Sequence, residues 1–383
     1  MQRQFDTVEK IRPLTVAFLS PWRHDDPAAW SGMIHRQFRS LSALPGLRLI
    51  PWSSADVRPA LIDRSLERVL GPHLGGNYRA QLGVSTAKRR AARADARVKA
   101  EKPDVVLAAV ASVDVALMQS AAPVIHVSDA TFDLVHDFYP ETTGLHPLST
   151  VQARAVDRRL ARTVAAHVVS TSWAADGTVA AGANPSDVHV VPLGPRMEPR
   201  EFVARPPRSH RRILLVTSNW ERKAGDDVVE AVARARRIAQ RPPELTVVGT
   251  PNQSLPEWVT CLGRVPPETM PQVYAAHDIL VDLAKANAGG VTLTDAHAFG
   301  LPTIATDVGG VRDIVDAETT GFLVSPGRAV NEASDALLRL CDDATWYRMS
   351  AAAHSRYLQV LNWDTWARET CAVLVDACPR RPL

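Results

Sequence analysis

Several things are scarce in this sequence, and each scarcity removes a class of function. No run approaches the roughly 20 apolar residues of a membrane-spanning helix. The opening stretch Met1–Pro13 mixes charges of both signs with no apolar core, unlike a secretory leader. Four cysteines occur among 383 residues (Cys261, Cys341, Cys371 and Cys378), scattered and without metal-type spacing. Reduced thiols in a cytoplasmic protein are therefore the expectation. Charge of one sign is not in excess either: a net +3 on this length is too small to imply a nucleic-acid partner. Neither a Gly-x-Gly-x-x-Gly after a first strand nor an Asp-x-Asp pair is found. The first absence argues against a dinucleotide oxidoreductase, and the second makes chemistry without a metal or other cofactor the expectation.

What is present is the composition of a globular chain, 46% apolar and 22% charged, long enough for two cores. Apolar runs of strand length alternate with helical stretches. In the first half they fall at Leu14–Ser20, Leu47–Trp52, Val105–Ala109, Val124–Asp129, His167–Thr171 and Val188–Pro195. In the second half they fall at Ile213–Thr217, Leu245–Gly249, Val259–Gly263, Asp278–Leu283 and Thr303–Thr306. Between the halves lies a polar run, Glu198–Arg212, with three prolines that mark a domain boundary. The expected fold is α/β, two Rossmann-like domains facing each other across a cleft, with ligand at the carboxyl ends of the strands. A helical segment between Arg79 and Lys102 carries Lys88, Arg89, Arg90, Arg93, Arg97 and Lys99. Such a run is a solvated face; weak peripheral contact with anionic lipid is the alternative, without the bulky apolar face that insertion needs.

One stretch carries the chemistry. Ala286–Pro302 follows one buried strand and precedes another, so it is predicted to be a loop and a short helix. Gly289 and Gly290 allow the backbone close to a ligand, and the helix they open has unpaired amides and partial positive charge suited to a phosphate. Asp295, about a turn further on, could accept hydrogen bonds from a vicinal diol such as a ribose.

Asn287, seven intervening residues, Asp295 and then Ala-His-Ala-Phe-Gly-Leu-Pro resemble the Glu-x7-Glu motif of retaining GT-B glycosyltransferases of family four. Thr306-Asp307-Val308-Gly309-Gly310 and Thr320–Gly327 continue the likeness through most of the second half. Both motif glutamates are replaced, the first by neutral Asn287 and the second by the shorter Asp295. The resemblance implies a GT-B fold with domains at 1–197 and 198–360, and a closing segment, 361–383, that packs back on the first domain. It also implies a sugar moved from a nucleoside-diphosphate donor, UDP- or GDP-linked, to a carbohydrate or lipid-linked acceptor, with retention, in polysaccharide or glycoconjugate biosynthesis.

In that family a loop Gly-Arg-x-x-x-Lys-Gly binds the donor diphosphate. Here Lys223 matches the lysine, while Ser218 stands at the usual arginine and Arg222 is the substitute candidate. Gly263, Arg264 and Val265 match the segment that meets the base, and Gly289, Gly290 and Val291 the phosphate loop. Gly32, after the first strand, is a candidate for the donor side or simply a helix-entry glycine. Asp129 is the candidate polar group facing the reacting sugar or acceptor, or a cap of the following turn. Removing Lys223 is expected to weaken diphosphate binding far more than folding. An epimerase or hydrolase of the same fold, and a non-catalytic nucleotide-sugar-binding protein, are the rival readings; Asn287 and Ala109 leave room for the second.

Overall fold

The computed structural model of the chain describes residues 12–70, 76–197 and 210–378. Most of the proline-rich run expected as a boundary lies outside the described residues. The first sheet contains β1 (Leu14–Ser20), β2 (Leu47–Ser53), β3 (Val105–Ala109), β4 (Val124–Ser128), β5 (Ala166–Val169) and β6 (Val188–Val190), in the order β2-β1-β3-β4-β5-β6. The second contains β7 (Arg212–Val216), β8 (Glu244–Val248), β9 (Val259–Cys261), β10 (Ile279–Asp282), β11 (Thr303–Thr306) and β12 (Gly321–Val324), in the order β12-β11-β10-β7-β8-β9. Every pairing in both sheets is parallel.

Parallel strands joined by helical crossovers are covered on both faces, which is why the central ones read as unbroken apolar runs. Val16 and Phe18 enter one core layer while Ala17 and Leu19 enter the opposite one. Ile213 and Leu215 are likewise separated from Leu214 by the second sheet.

The basic helix, Val84–Glu101, turns Ala87, Ala91 and Ala94 inward, and Lys88, Arg89, Arg93 and Lys99 are exposed while Arg90 is largely buried. Three of them are engaged: Arg90 with Asp114 at 3.4 Å, Arg93 with Asp56 at 2.7 Å and Arg97 with Glu101 at 2.9 Å. Pairing of this kind leaves less free positive charge for a lipid surface than the sequence suggests. The helix Met33–Ser42 starts on Gly32 at φ +84, preceded by Ser31 at φ +57. The helix Pro147–Thr163 begins before its apolar pattern does, with His146 Nδ1 accepting from the Leu148 amide at 3.1 Å.

The closing helix, Trp363–Asp376, is capped by Asn362, whose Oδ1 accepts from the Thr365 amide at 2.8 Å. Its Trp363, Trp366 and Leu374 are buried in the same cluster as Val16 and Phe18 of β1. Trp363 Nε1 donates to the Pro195 carbonyl at 2.7 Å, and a Cβ on Gly194 would come within 2.7 Å of the indole. That glycine is therefore what lets the ring lie flat on the chain leaving the first sheet. No described helix is long and apolar enough to cross a membrane.

Candidate active site

In an open parallel sheet the ligand position is the crevice at the carboxyl ends of the strands where the strand order reverses. In the second sheet that point lies between β7 and β10, and the loops leaving those two strands carry Lys223 and Ala286–Gly290. A cavity of about 570 Å³ opens there, lined from the second half by Arg222, Lys223, Asn287, Gly289, Gly290, Val291 and Asp295. Asp129, Tyr139, Trp30 and Leu193 close it from the first half. It has the size of an ordinary ligand pocket.

Lys223 does not project freely into this space. Its ammonium pairs with Asp282, the last residue of β10, and the two side chains are only 7% and 2% exposed. Asp282 also accepts from the Ala284 amide at 3.2 Å. Arg222 donates to the Ala286 carbonyl at 3.0 Å and lies over the Tyr139 ring at 5.6 Å, so it is held against the loop it was expected to serve.

The glycine pair opens a helix as expected, Val291–Ala298, but the amides are shared out differently. Asn287 Oδ1 accepts from the Gly290 amide at 3.0 Å, so that group is not left for a phosphate. The amides of Val291 and Thr292, next in the first turn, are the ones without a protein acceptor. Glycine at 290 is favoured by its φ of +58, and an added Cβ would lie 2.1 Å from Ile314 Cδ1 unless that side chain shifted. At 289 the close neighbour comes from the other domain: an added Cβ would stand 3.1 Å from Asp129 Oδ2.

Asp129 thus faces the glycine pair from the end of β4, and burial pushes its carboxyl up to about 6. Asp295 lines the cavity but is itself fully buried, with Oδ1 accepting from the Met197 amide at 3.0 Å and Oδ2 lying 3.5 Å from the Tyr274 hydroxyl. Burial raises it to about 6 as well. One of its oxygens therefore already holds the chain where it leaves the first domain, a use that its spacing from Asn287 did not foretell.

Arg264 and Val265 line a neighbouring cavity of about 340 Å³, which shares Arg196, Val216 and Ser218 with the first. Gly263, at φ +61, accepts from the Gly249 amide at 2.8 Å through its carbonyl and sets the turn that delivers them. Gly32 lies on the rim of a third space, against the Arg196 side chain, and not in the central cavity, where its neighbours Trp30 and Ser31 are found.

Three residues escaped the sequence reading. Tyr139 accepts from the Ala288 amide at 2.7 Å across the cleft, and burial lifts its hydroxyl to about 12, so it remains a protonated phenol. Arg196 borders all three spaces, with its buried Nε 4.0 Å from Asp295 Oδ2, an ion pair longer than a hydrogen bond. Asp282 is the counter-charge of Lys223. The only sequence signal was for Asp282, an acid ending an otherwise apolar strand.

Two all-parallel α/β domains with a polar cavity between the ends of their strands define the GT-B fold. Sucrose-phosphate synthase from Thermosynechococcus elongatus superposes with a TM-score of 0.70 at 18% identity, over 96% of this chain and all (100%) of that one. Anabaena HepE, in complex with UDP and glucose, gives 0.65 at 16% identity, over 95% and 100%. Residues 210–343 match the family of glycosyl transferases group 1. The D-inositol 3-phosphate glycosyltransferase of Nocardia farcinica is 33% identical over 153 residues, 35% of this chain and 34% of that protein. The N-acetyl-alpha-D-glucosaminyl L-malate synthase of Bacillus anthracis is 27% identical over 154 residues, 37% of this chain and 39% of that protein. The chain thus matches little more than a third of the length of these relatives.

Proposed function

We propose that this protein is a glycosyltransferase that moves a sugar from a nucleoside-diphosphate donor to an acceptor hydroxyl in the cleft, with retention at the anomeric carbon. The observation that carries the reading is the convergence, on one cavity, of Lys223, Arg222 and the open amides of Val291 and Thr292 from one domain with Asp129 from the other. Fixed donors of this kind stabilise the charge that grows on a departing diphosphate. The neighbouring cavity beside Arg264 and Val265 has the position for the base, and Arg196 bridges the two. A structural neighbour crystallised with UDP and glucose supports a donor of this class.

In the transfer the acceptor oxygen bonds to the anomeric carbon while the bond from that carbon to the diphosphate oxygen breaks and its electron pair leaves with the diphosphate. Asp129 orients the acceptor by accepting a hydrogen bond from its hydroxyl, and the proton ends on the departing phosphate. No covalent enzyme intermediate is needed. Asn287 can accept and donate hydrogen bonds but cannot stabilise positive charge as a carboxylate would. With Oδ1 committed to Gly290, it offers the sugar its Nδ2, and sugar choice or rate follows from that exchange.

Native mass spectrometry against uridine and guanosine diphosphate sugars tests the reading. Retention of at least one donor, with the free nucleoside diphosphate competing, is expected. Binding of neither base class would overturn it.

A further inference from the structure

Behind the cleft, between β4–β5 and the helices Pro147–Thr163 and Ser172–Ala180, the first domain contains a second chamber of about 260 Å³. Its wall is mostly apolar, with Val110, Val113, Phe132, Val156 and Leu160 among the lining residues. Two of the lining residues, Asp129 and Val135, also line the central cavity. The segment from 129 to 135 is therefore the partition between the two spaces, with Asp129 lining both.

Two polar atoms in this chamber have no partner. His126, 6% exposed, carries an unpaired Nε2, and the Thr131 hydroxyl is also buried and unpaired. Burial holds the His126 ring at about 3, so it is a neutral imidazole able to donate or accept. A buried polar atom without a partner carries an uncompensated desolvation cost, which a ligand with one matching group would recover. The charged groups in the wall are both acids, Asp129 and Asp157; no lysine or arginine contributes to it. Asp157 is tied to the Phe132 amide and stays at the partition. An anionic molecule would meet carboxylates there and no counter-charge.

We propose that this chamber is the acceptor pocket and that it takes a neutral, compact, largely apolar alcohol or phenol. The acceptor's body is buried among the aliphatic side chains, a second polar group reaches His126 and Thr131, and its reacting hydroxyl emerges past Asp129 opposite Gly289. This rests on reading the cleft as a sugar-transfer site. The relatives named for inositol phosphate and malate carry anionic acceptors in their names; the chamber's charge selects against such molecules.

The probe is 2-naphthol, a neutral bicyclic phenol, measured by equilibrium dialysis against the full chain. Val156→Phe fills the chamber, and Ala181→Leu, at its edge, makes a milder substitution to be read if the first does not fold. Binding of UDP and of GDP is measured on each protein alongside. Wild type should bind 2-naphthol at least about tenfold more tightly than the variant, with nucleotide affinity the same in both, and should form a naphthyl glycoside with a bound donor. Inositol 3-phosphate should not displace the probe. Equal naphthol binding in wild type and variants, displacement by inositol 3-phosphate, or nucleotide binding without naphthol binding would overturn the chamber assignment and leave the cleft reading intact. Failure of wild type to bind either nucleotide would instead overturn the cleft reading, and the acceptor assignment with it.

Discussion

Lys223→Ala removes one half of a buried ion pair, and its first effect should be on folding. Lys223 and Asp282 are 2.5 Å apart and nearly inaccessible to water. At that separation the gross attraction is about 7 kcal/mol for an effective dielectric constant of about 20, most of it offset by the desolvation both groups have already undergone. Truncating one partner leaves the other charge buried, which costs about 3–5 kcal/mol. Urea denaturation measures this. The double variant Lys223→Met, Asp282→Leu removes both charges and should regain most of the stability. That variant isolates the ligand effect: without the ammonium, UDP or GDP should bind about 10- to 100-fold more weakly, the worth of one charged hydrogen bond. A Lys223→Ala protein as stable as wild type would refute the pairing argument. The sequence-based expectation that this lysine affects binding far more than folding does not take its partner into account.

Other outcomes are expected. Asp129 must be ionised to accept the acceptor's hydroxyl, so transfer should fall as pH drops through about 6, and Asp129→Asn should abolish that limb; a limb persisting in initial rates of the variant would count against the role. The same shift makes the folded state bind this proton more tightly than the unfolded one, so its contribution to stability grows as pH falls from about 6 toward 4. Asn287→Ala strips the Gly290 amide of its acceptor and should cost about 1 kcal/mol in thermal unfolding, whereas Asn287→Asp should keep the cap; unchanged rate and sugar preference in Asn287→Glu would show that the residue does not select the donor. Gly290→Ala forces a left-handed backbone and brings its Cβ against Ile314 Cδ1, worth about 1–3 kcal/mol in thermal unfolding; a variant as stable as wild type would place the strain elsewhere. Trp363→Ala opens a cavity beneath the chain leaving the first sheet, and a loss of about 3–5 kcal/mol in urea denaturation is expected; a loss near zero would mean that the closing helix is not anchored by its ring.

Much of the fold was legible because it depends on local pattern. Unbroken apolar runs such as Val105–Ala109 and Thr303–Thr306 coincide with strands, since a strand covered on both faces has no polar alternation to obscure it. Ends were read less well. The apolar run Val188–Pro195 contains a strand of only three residues, Val188–Val190, before the chain turns toward Trp363. Helix starts set by His146 and Gly32 left no apolar signal to read.

By itself the sequence determined that the chain forms parallel α/β units and that a glycine pair opens a short helix after a buried strand, because periodicity and backbone freedom are properties of neighbouring residues. Which charges are spent internally was a tertiary matter. Asp282 takes up the charge of Lys223, Asn287 takes the Gly290 amide, Met197 takes an oxygen of Asp295, and Tyr139 reaches Ala288 from the other domain. Two of these four pairings join segments about 100 residues or more apart, Lys223 and Asp282 are separated by 59 positions, and no local pattern encodes these three; only the Asn287–Gly290 bond is local, spanning three residues. The free energy of a charge depends on what surrounds it in space, and only the folded chain supplies those surroundings.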